Sequence, residues 1–344
     1  MMGTMRNTIF MTMVAASIVA VTSCSKDGSG AIEGENVPAP VSFRISARSD
    51  ASQTSLTRLY VAERIGEHDN GEDLHCCLAE DITEVSSDGS SLAYSLTGMT
   101  AQWYKFAFIS VPDAVRYGDD AISGAQMFLY DGVTSLPEAK CDFNRIYIDF
   151  EPVLKAQKAD STLARTADLH IYRKVIDRWL LPDVTLTEDV LMQRITGRLE
   201  IDMGILEDQF PHEIESITLT LNTPEQVYLH DQSAGEVLLR GDSYNDHVFR
   251  YDSFRWNEGE RFIIRVDLLP ETVNGNITVK YNGTSESAVY PVYAGNDYVT
   301  VKSNTRTVVH FNGIEDGFYE VRYAGFLDGD AIVGVDDDVW DDQL

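Results

Sequence analysis

From Val41 onward the apolar side chains of this chain recur with a period of two. Tyr104, Phe106 and Phe108 alternate with Lys105 and Ala107, and Ile146, Ile148 and Phe150 with Tyr147 and Asp149. Ile195, Gly197, Leu199, Ile201 and Met203 share one side of a run; Thr196, Arg198, Glu200 and Asp202 share the other. Ile217, Leu219 and Leu221 alternate with Thr218 and Thr220, and Phe262, Ile264, Val266 and Leu268 with Ile263, Arg265 and Asp267. Successive side chains of a strand point to opposite faces, so each run predicts a strand buried on one face. Asn70-Gly71, Asp88-Gly89, Asp131-Gly132, Asn274-Gly275, Asn282-Gly283 and Asn312-Gly313 punctuate the runs. Asn or Asp before Gly suits the positive φ of tight hairpins, and Ile277 to Tyr281 followed by Asn282-Gly283 is the best local candidate. Helical periodicity is weak. Only Leu169 to Leu181 stays open, since Ile176, Trp179 and Leu180 fit one short amphipathic turn before Pro182. Short strands with few helices predict an all-β chain of antiparallel β-sandwiches.

The N-terminus departs from this pattern. Met1 to Ser23 hold one charged side chain, Arg6, and a weakly polar run from Ile9 to Val21. That run is shorter than the ~20 residues a membrane-spanning helix needs and fits the apolar stretch of a secretory signal. It ends in Val21-Thr22-Ser23-Cys24, which resembles a bacterial lipobox with Cys24 as the lipidated residue. Position, small flanks and run length favour the lipobox over an ordinary thiol after an ordinary signal peptide. Several acyl chains on Cys24 would hold the protein permanently at a membrane. The segment from Ser25 to Pro40 is small, polar and Pro-containing, and reads as a tether. The expected organisation is a signal peptide over 1–23, a lipidated tether over 24–40, and sandwiches over 41–185 and 186–344. Leu180-Leu181-Pro182-Asp183 marks the boundary between the sandwiches, and the second ends in an acidic tail.

Charge narrows the partners. The 344 residues carry 55 acidic and 27 basic side chains, a net charge of −28. Removing residues 1–23 takes away one cation, Arg6, and no acid, so the excess belongs to the mature body. Such a surface repels nucleic acid and anionic lipid, so no nucleic-acid partner is expected and attachment falls to the lipid on Cys24. With 44% apolar residues the chain still has enough hydrophobic content for cores.

No catalytic pattern stands out. There is no Gly-x-Ser-x-Gly elbow, P-loop or Gly-x-Gly-x-x-Gly, and His68, His75, His170, His212, His230, His247 and His310 form no metal-ligand pair. The expectation is a non-enzyme with no catalytic, cofactor-binding or metal residues and no cofactor. Cys76, Cys77 and Cys141 make no zinc spacing. Neighbouring cysteines do not bridge without strain, so at most one of Cys76 and Cys77 can reach Cys141. Asp336 to Asp338, Asp341 and Asp342 lack an EF-hand pattern and read as a solvated tail.

Taken together, the lipobox followed by Ser25-Lys26-Asp27, the tether and the tandem β pattern resemble the fimbrillin superfamily, and within it the FimB-like (Mfa-like) fimbrial anchor and accessory lipoproteins. Tyr104 to Ile109, Gln193 to Ile201 and Thr272 to Val279 are similar to strands of that family. The resemblance implies a transthyretin-like sandwich in each half. It also implies an outer-membrane, cell-surface location and assembly with other fimbrial subunits by strand exchange. Stalk subunits of the family are trimmed after an Arg, whereas anchor subunits keep their lipid. Arg44, Arg48 and Arg58 are the candidate trimming positions here. The acidic residues after Ala331 to Val335 make a poor donor strand, and Ser42 to Ala47 lies close enough to the tether to remain as an intrinsic strand. Both features favour an anchor or accessory subunit. The alternative is a surface lipoprotein that binds a glycan or host protein through Trp103, Trp179 or Trp256, since aromatic faces stack on sugars.

Overall fold

The computed structural model describes residues 37–47, 55–64, 74–83, 91–117, 120–130, 141–159, 171–229, 244–252, 261–294, 297–311, 313 and 318–325. Strands dominate them, and the all-β sandwich class holds. In the first half β1 (Val41–Ala47), β2 (Ser55–Arg64), β3 (Leu74–Ile82), β4 (Leu92–Leu96) and β5 (Trp103–Pro112) precede β6 (Phe128–Tyr130) and β7 (Ile146–Asp149). The helix α1 (Glu151–Ala159) follows, then β8 (Tyr172–Trp179) and β9 (Leu186–Arg194). The main sheet runs β4-β1-β9-β8-β5-β2-β3, with the short strand Cys141–Asp142 as its eighth member beside β3. β8 and β9 pair only where Tyr172 faces Arg194 and Arg173 faces Gln193, so the sheet folds over at that seam. The two leaves enclose a core in which Phe43 of β1 stands edge-on to Phe106 and Phe108 of β5, each with ring centroids 5.0 Å away. Leu59, Val61, Ile176, Val190 and Met192 fill the rest.

The reverse of the β5–β2–β3 leaf is also covered. Tyr60, Ala62, Cys76, Ala107 and Ile109 pack with Phe128, Phe143 and Ile148 and with Val153 and Leu154 of α1. β5 is therefore buried on both faces, which corrects the expected single buried face. Burial holds the Tyr60 phenol up at about 12. The helix α1 went unseen in the periodicity because it is only nine residues long. Its first turn is closed by Asp149 Oδ1, which accepts from the Glu151 N–H at 3.1 Å, and by a Lys155–Glu151 ion pair at 2.5 Å. The segment left open as a helical turn is instead β8, which pairs with β5 from Tyr172–Ser110 to Trp179–Trp103. A long partner strand outweighs a weak local helical preference.

The second half holds β10 (Gly197–Ile205), the single turn Leu206–Gln209, β11 (Ile214–Pro224), β12 (Tyr244–Asp252) and β13 (Arg261–Leu268). After these come β14 (Asn274–Tyr281), β15 (Ser287–Pro291), β16 (Thr305–Phe311) and β17 (Phe318–Gly325). They form two four-stranded sheets, β13-β10-β16-β17 and β12-β11-β14-β15. Leu199, Ile201, Phe262 and Ile264 from one sheet meet Ile217, Leu219, Ile277 and Val279 from the other. Tyr251 meets Phe262, and Tyr290 meets Phe311, ring to ring across the sandwich at 5.9 and 5.2 Å.

Two observations revise the sequence reading of topology. β1 and β9 are parallel, from Val41–Leu186 to Ala47–Met192, and so are β10 and β16. The sheets are thus antiparallel apart from these two pairs, in each of which an early strand lies beside a late one after a long crossover. The chain leaves the first sheet after β9, at Ile195–Thr196. Pro182–Asp183 is the turn from β8 to β9, with Asp183 at a φ of 56°. The halves also share material. Gln226–Tyr228 pairs with β7 and, with β6, makes a three-stranded sheet. Arg173 Nη2 donates to the Leu229 carbonyl at 2.7 Å, and Ile195, Val227 and Leu229 carry one apolar core through both halves.

The polar side of β10 is not solvated either. Arg198, Glu200 and Asp202 are all buried. Arg198 Nε and Nη2 donate to the two oxygens of Asp267 at 3.0 and 3.2 Å. Glu200 accepts from Arg306 at 3.0 Å and pairs with Arg265 at 3.4 Å. Asp202 takes Arg261, the Gly204 N–H at 2.9 Å and His310 at 3.1 Å. Alternation survives, but counter-ions from the neighbouring strands cover it, as a buried charge requires. Among the turn signals, Asn282-Gly283 joins β14 to β15 with Gly283 at a φ of 70°. Asn274-Gly275 lies instead inside β14, where a Cβ on Gly275 would stand 2.5 Å from the Thr220 carbonyl oxygen. Asn70-Gly71, Asp88-Gly89 and Asp131-Gly132 lie outside the described residues.

Candidate functional site

The chain enters the described fold at one end of the folded-over sheet. Val37 to Pro40 are laid against two loops: the Ala39 N–H donates to Met99 at 2.9 Å, Asp183 to Pro38 at 3.0 Å and Leu186 to Pro40 at 2.9 Å. These bonds place Val37 to Pro40, the last residues of the expected tether, beside the β8–β9 turn. From there Val41, Phe43 and Ile45 of β1 turn inward and are almost fully buried, while Ser42, Arg44 and Ser46 face outward. β1 is an interior strand, paired on one side with β4 and on the other with β9. Its outward contacts are slight: Ser42 Oγ lies 3.0 Å from Ser95 Oγ, and Arg44 lies 3.7 Å from Asp189 with both side chains exposed. Burying Val41, Phe43 and Ile45 stabilises the strand by about 5–9 kcal/mol, at ~1.5–3 kcal/mol each. Among the described residues the free edges of the main sheet are β4 and Cys141–Asp142.

The same end carries the aromatic candidates. Trp103 and Trp179 are direct cross-strand partners on β5 and β8. Trp179 is 68% exposed and is followed in the turn by exposed Leu181 and Val184, whereas Leu180 is buried. The Leu180 N–H donates to Gln102 at 2.8 Å and fixes the turn. Two residue pairs further along, Lys105 Nζ binds Asp177 at 2.9 Å and stands 5.8 Å from the Trp103 ring centroid, a cation–π contact. Behind them the Tyr104 hydroxyl accepts from Gln102 Nε2 at 2.7 Å, and the same amide reaches Glu63 at 3.1 Å. Burial raises the Tyr104 phenol. The arrangement is a half-open aromatic ledge with a cation at its back. Pairing two Trp across strands was not legible from their spacing of 76 positions. The apolar flank of Leu181 and Val184 was equally missed, because Leu180-Leu181-Pro182-Asp183 was read as a boundary between sandwiches.

The other sequence candidates separate. Cys24, Arg48, Trp256 and the acidic tail from Asp336 lie outside the described residues. Arg58 is buried in β2 and holds Asp81 through two nitrogens at 2.6 and 3.2 Å. A protease therefore has no access to it in the folded chain. Cys76 and Cys77, adjacent on β3, serve different cores: Cys76 belongs to the core under α1, and Cys77 packs against the one around Phe43. Among the described residues no three His, Cys, Asp or Glu side chains converge to hold a metal.

The geometry defines a class: an all-β surface built from folded sheets, with a short N-terminal lead-in docked at one end. Several solved structures resemble the chain at low identity. The tip fimbrial protein Mfa3 of Porphyromonas gingivalis, truncated at its C-terminus, is 11% identical, with a TM-score of 0.42 over 83% of this chain and 98% of that one. A protein of Bacteroides thetaiotaomicron described as a putative polysaccharide binding protein is 13% identical, with a TM-score of 0.48 over 83% and 96%. A fimbrial assembly protein of Parabacteroides distasonis is 12% identical, with a TM-score of 0.39 over 84% and 99%. No family model and no curated protein matches the sequence.

Proposed function

We propose that this chain is a lipid-anchored fimbrial subunit of the anchor or accessory kind, held in the outer membrane through Cys24 and joined to other subunits by strand addition. A structural rather than catalytic role follows from that reading. The observation that carries it is β1, an interior strand with three buried apolar anchors directly after the tether. A subunit that keeps its lipid keeps its first strand, and the packing of Phe43 between Phe106 and Phe108 favours keeping it. Trimming after Arg44 would cut β1 in two, and trimming after Arg48 would remove it. A partner's extended segment then pairs at an exposed sheet edge, where main-chain hydrogen bonds supply the affinity. The test is the mature N-terminus in the native host, with fatty-acid labelling. Labelled Cys24 at the start of the chain and copurification with fimbriae are expected. A mature chain beginning after Arg44 or Arg48 would make this a polymerising subunit, and unchanged fimbrial length, attachment and amount on deletion would sink the anchor role.

The Trp103–Trp179 ledge favours a second reading, a surface lipoprotein that captures a glycan. Stacking of a sugar ring on an exposed indole suits that geometry. Binding on a glycan array that is lost in Trp179→Ala and Trp103→Ala supports it, and unchanged binding in both removes it.

A further inference from the structure

We propose that Cys76 and Cys141 form a disulfide that pins one edge of the main sheet. The two residues are direct partners in the antiparallel register of β3 with Cys141–Asp142, where His75 faces Asp142 and Cys76 faces Cys141. Opposed residues of an antiparallel pair have Cα atoms about 4.5–5.5 Å apart, inside the 4.4–6.8 Å span of disulfides. The register also chooses between the neighbouring thiols. Ala62 of β2 faces Cys76 and Val61 faces Leu78, so Cys77 is the extra residue of a bulge. Its Sγ donates to the Val61 carbonyl at 3.4 Å on the opposite side of the sheet from the core that holds Cys76. Cys77 is therefore excluded, although the sequence left it open. In the thiol form Cys76 donates to the Leu78 carbonyl at 3.2 Å, a weak bond that bridging replaces.

The chemistry is thiol–disulfide exchange with a low-molecular-weight or protein disulfide as oxidant. One cysteine thiolate attacks the oxidant and expels one of its sulfurs as a thiol. The second cysteine thiolate then attacks the mixed disulfide and expels the other. The protein loses two protons and two electrons, and the oxidant is reduced to two thiols. Formation in the cell rests on the export part of the proposed function, because disulfides persist in oxidising compartments. The consequence is structural. The two-residue strand beside β3 becomes covalently fixed, so a partner strand cannot displace it to pair with β3.

The test uses the full chain isolated from its native host with free thiols alkylated at lysis, and the same chain equilibrated with glutathione disulfide. Peptide mapping without reductant is expected to give a Cys76–Cys141 linked peptide in both samples, kept in Cys77→Ser and lost in Cys141→Ser. Alkylated Cys76 and Cys141 in the host sample, no linkage after equilibration, or a Cys77–Cys141 peptide overturns the proposal. Fatty-acid label on Cys24 is read from the same preparation. A labelled chain with alkylated cysteines rejects the disulfide alone, and an unlabelled chain with the linked peptide rejects the anchor alone.

Discussion

Replacing Phe43 with Ala removes the ring that locks β1 between the leaves of the first sheet. Phe43 is 2% exposed and touches two aromatic rings at 5.0 Å centroid distance. Truncating a buried Phe costs about 3–5 kcal/mol, of which each lost edge-to-face pair accounts for ~0.5–1.5 kcal/mol. The upper half of the range applies, because Phe106 and Phe108 belong to a strand buried on both faces and cannot move in to fill the space. Arg44→Ala, one residue along the same strand, is the control. Its side chain is 66% exposed and its Asp189 partner lies 3.7 Å away, so its loss changes stability by less than about 1 kcal/mol. Urea unfolding followed by circular dichroism, with a slope of ~1–3 kcal/mol/M, turns the Phe43 effect into a midpoint drop of more than about 1 M. Amide exchange in β1 locates it. Equal small shifts for both variants would refute the claim that β1 is an anchored interior strand, and with it the argument for a retained first strand.

Asp267 is fully buried against Arg198, so Asp267→Ala strands a buried guanidinium and costs about 3–5 kcal/mol. The double variant Arg198→Met/Asp267→Leu recovers most of that in the same urea assay. Burial alone would raise the Asp202 carboxyl, but bonds from His310, Arg261 and the Gly204 N–H outweigh it and hold it down at about 2. With a folded pKa below the unfolded one, its contribution is complete above about pH 4 and is lost as pH falls towards 2. That contribution is on the order of 2 kcal/mol, and Asp202→Asn should flatten the acid limb of a profile of unfolding free energy against pH by about that amount. Gly275→Ala drives a Cβ to 2.5 Å from the Thr220 carbonyl and towards Leu221, with an expected loss of about 1–3 kcal/mol in thermal unfolding; an unchanged midpoint would place β14 farther from β11.

Most strands were legible because period-two alternation is a local property of a half-buried sheet. The runs around Phe106, Leu199, Leu219 and Ile264 all fall in strands of the structure. What alternation cannot encode is the covering of the second face. Lys105 and Glu200 look solvent-facing by pattern, yet both are buried, because Asp177 in one case and Arg265 with Arg306 in the other arrive from other strands. The same limit applied to β8, whose strand state depends on β5, some seventy residues earlier. The aromatic ledge was half legible: Trp103 and Trp179 were named singly, and only pairing joined them.

Local chemistry in the chain therefore determined the β class, the apolar and polar faces of its strands and the Asn282-Gly283 turn. These follow from neighbouring residues alone, through side-chain period and backbone φ. Tertiary structure decided which strands are neighbours. It set β1 parallel to β9, carried the first sheet past Pro182 to Arg194, placed Cys76 rather than Cys77 opposite Cys141, and turned a polar face into a buried ion-pair ladder. Each of these depends on contacts between residues far apart in sequence, whose geometry is set by the packing of two cores and is written in no single window of the chain.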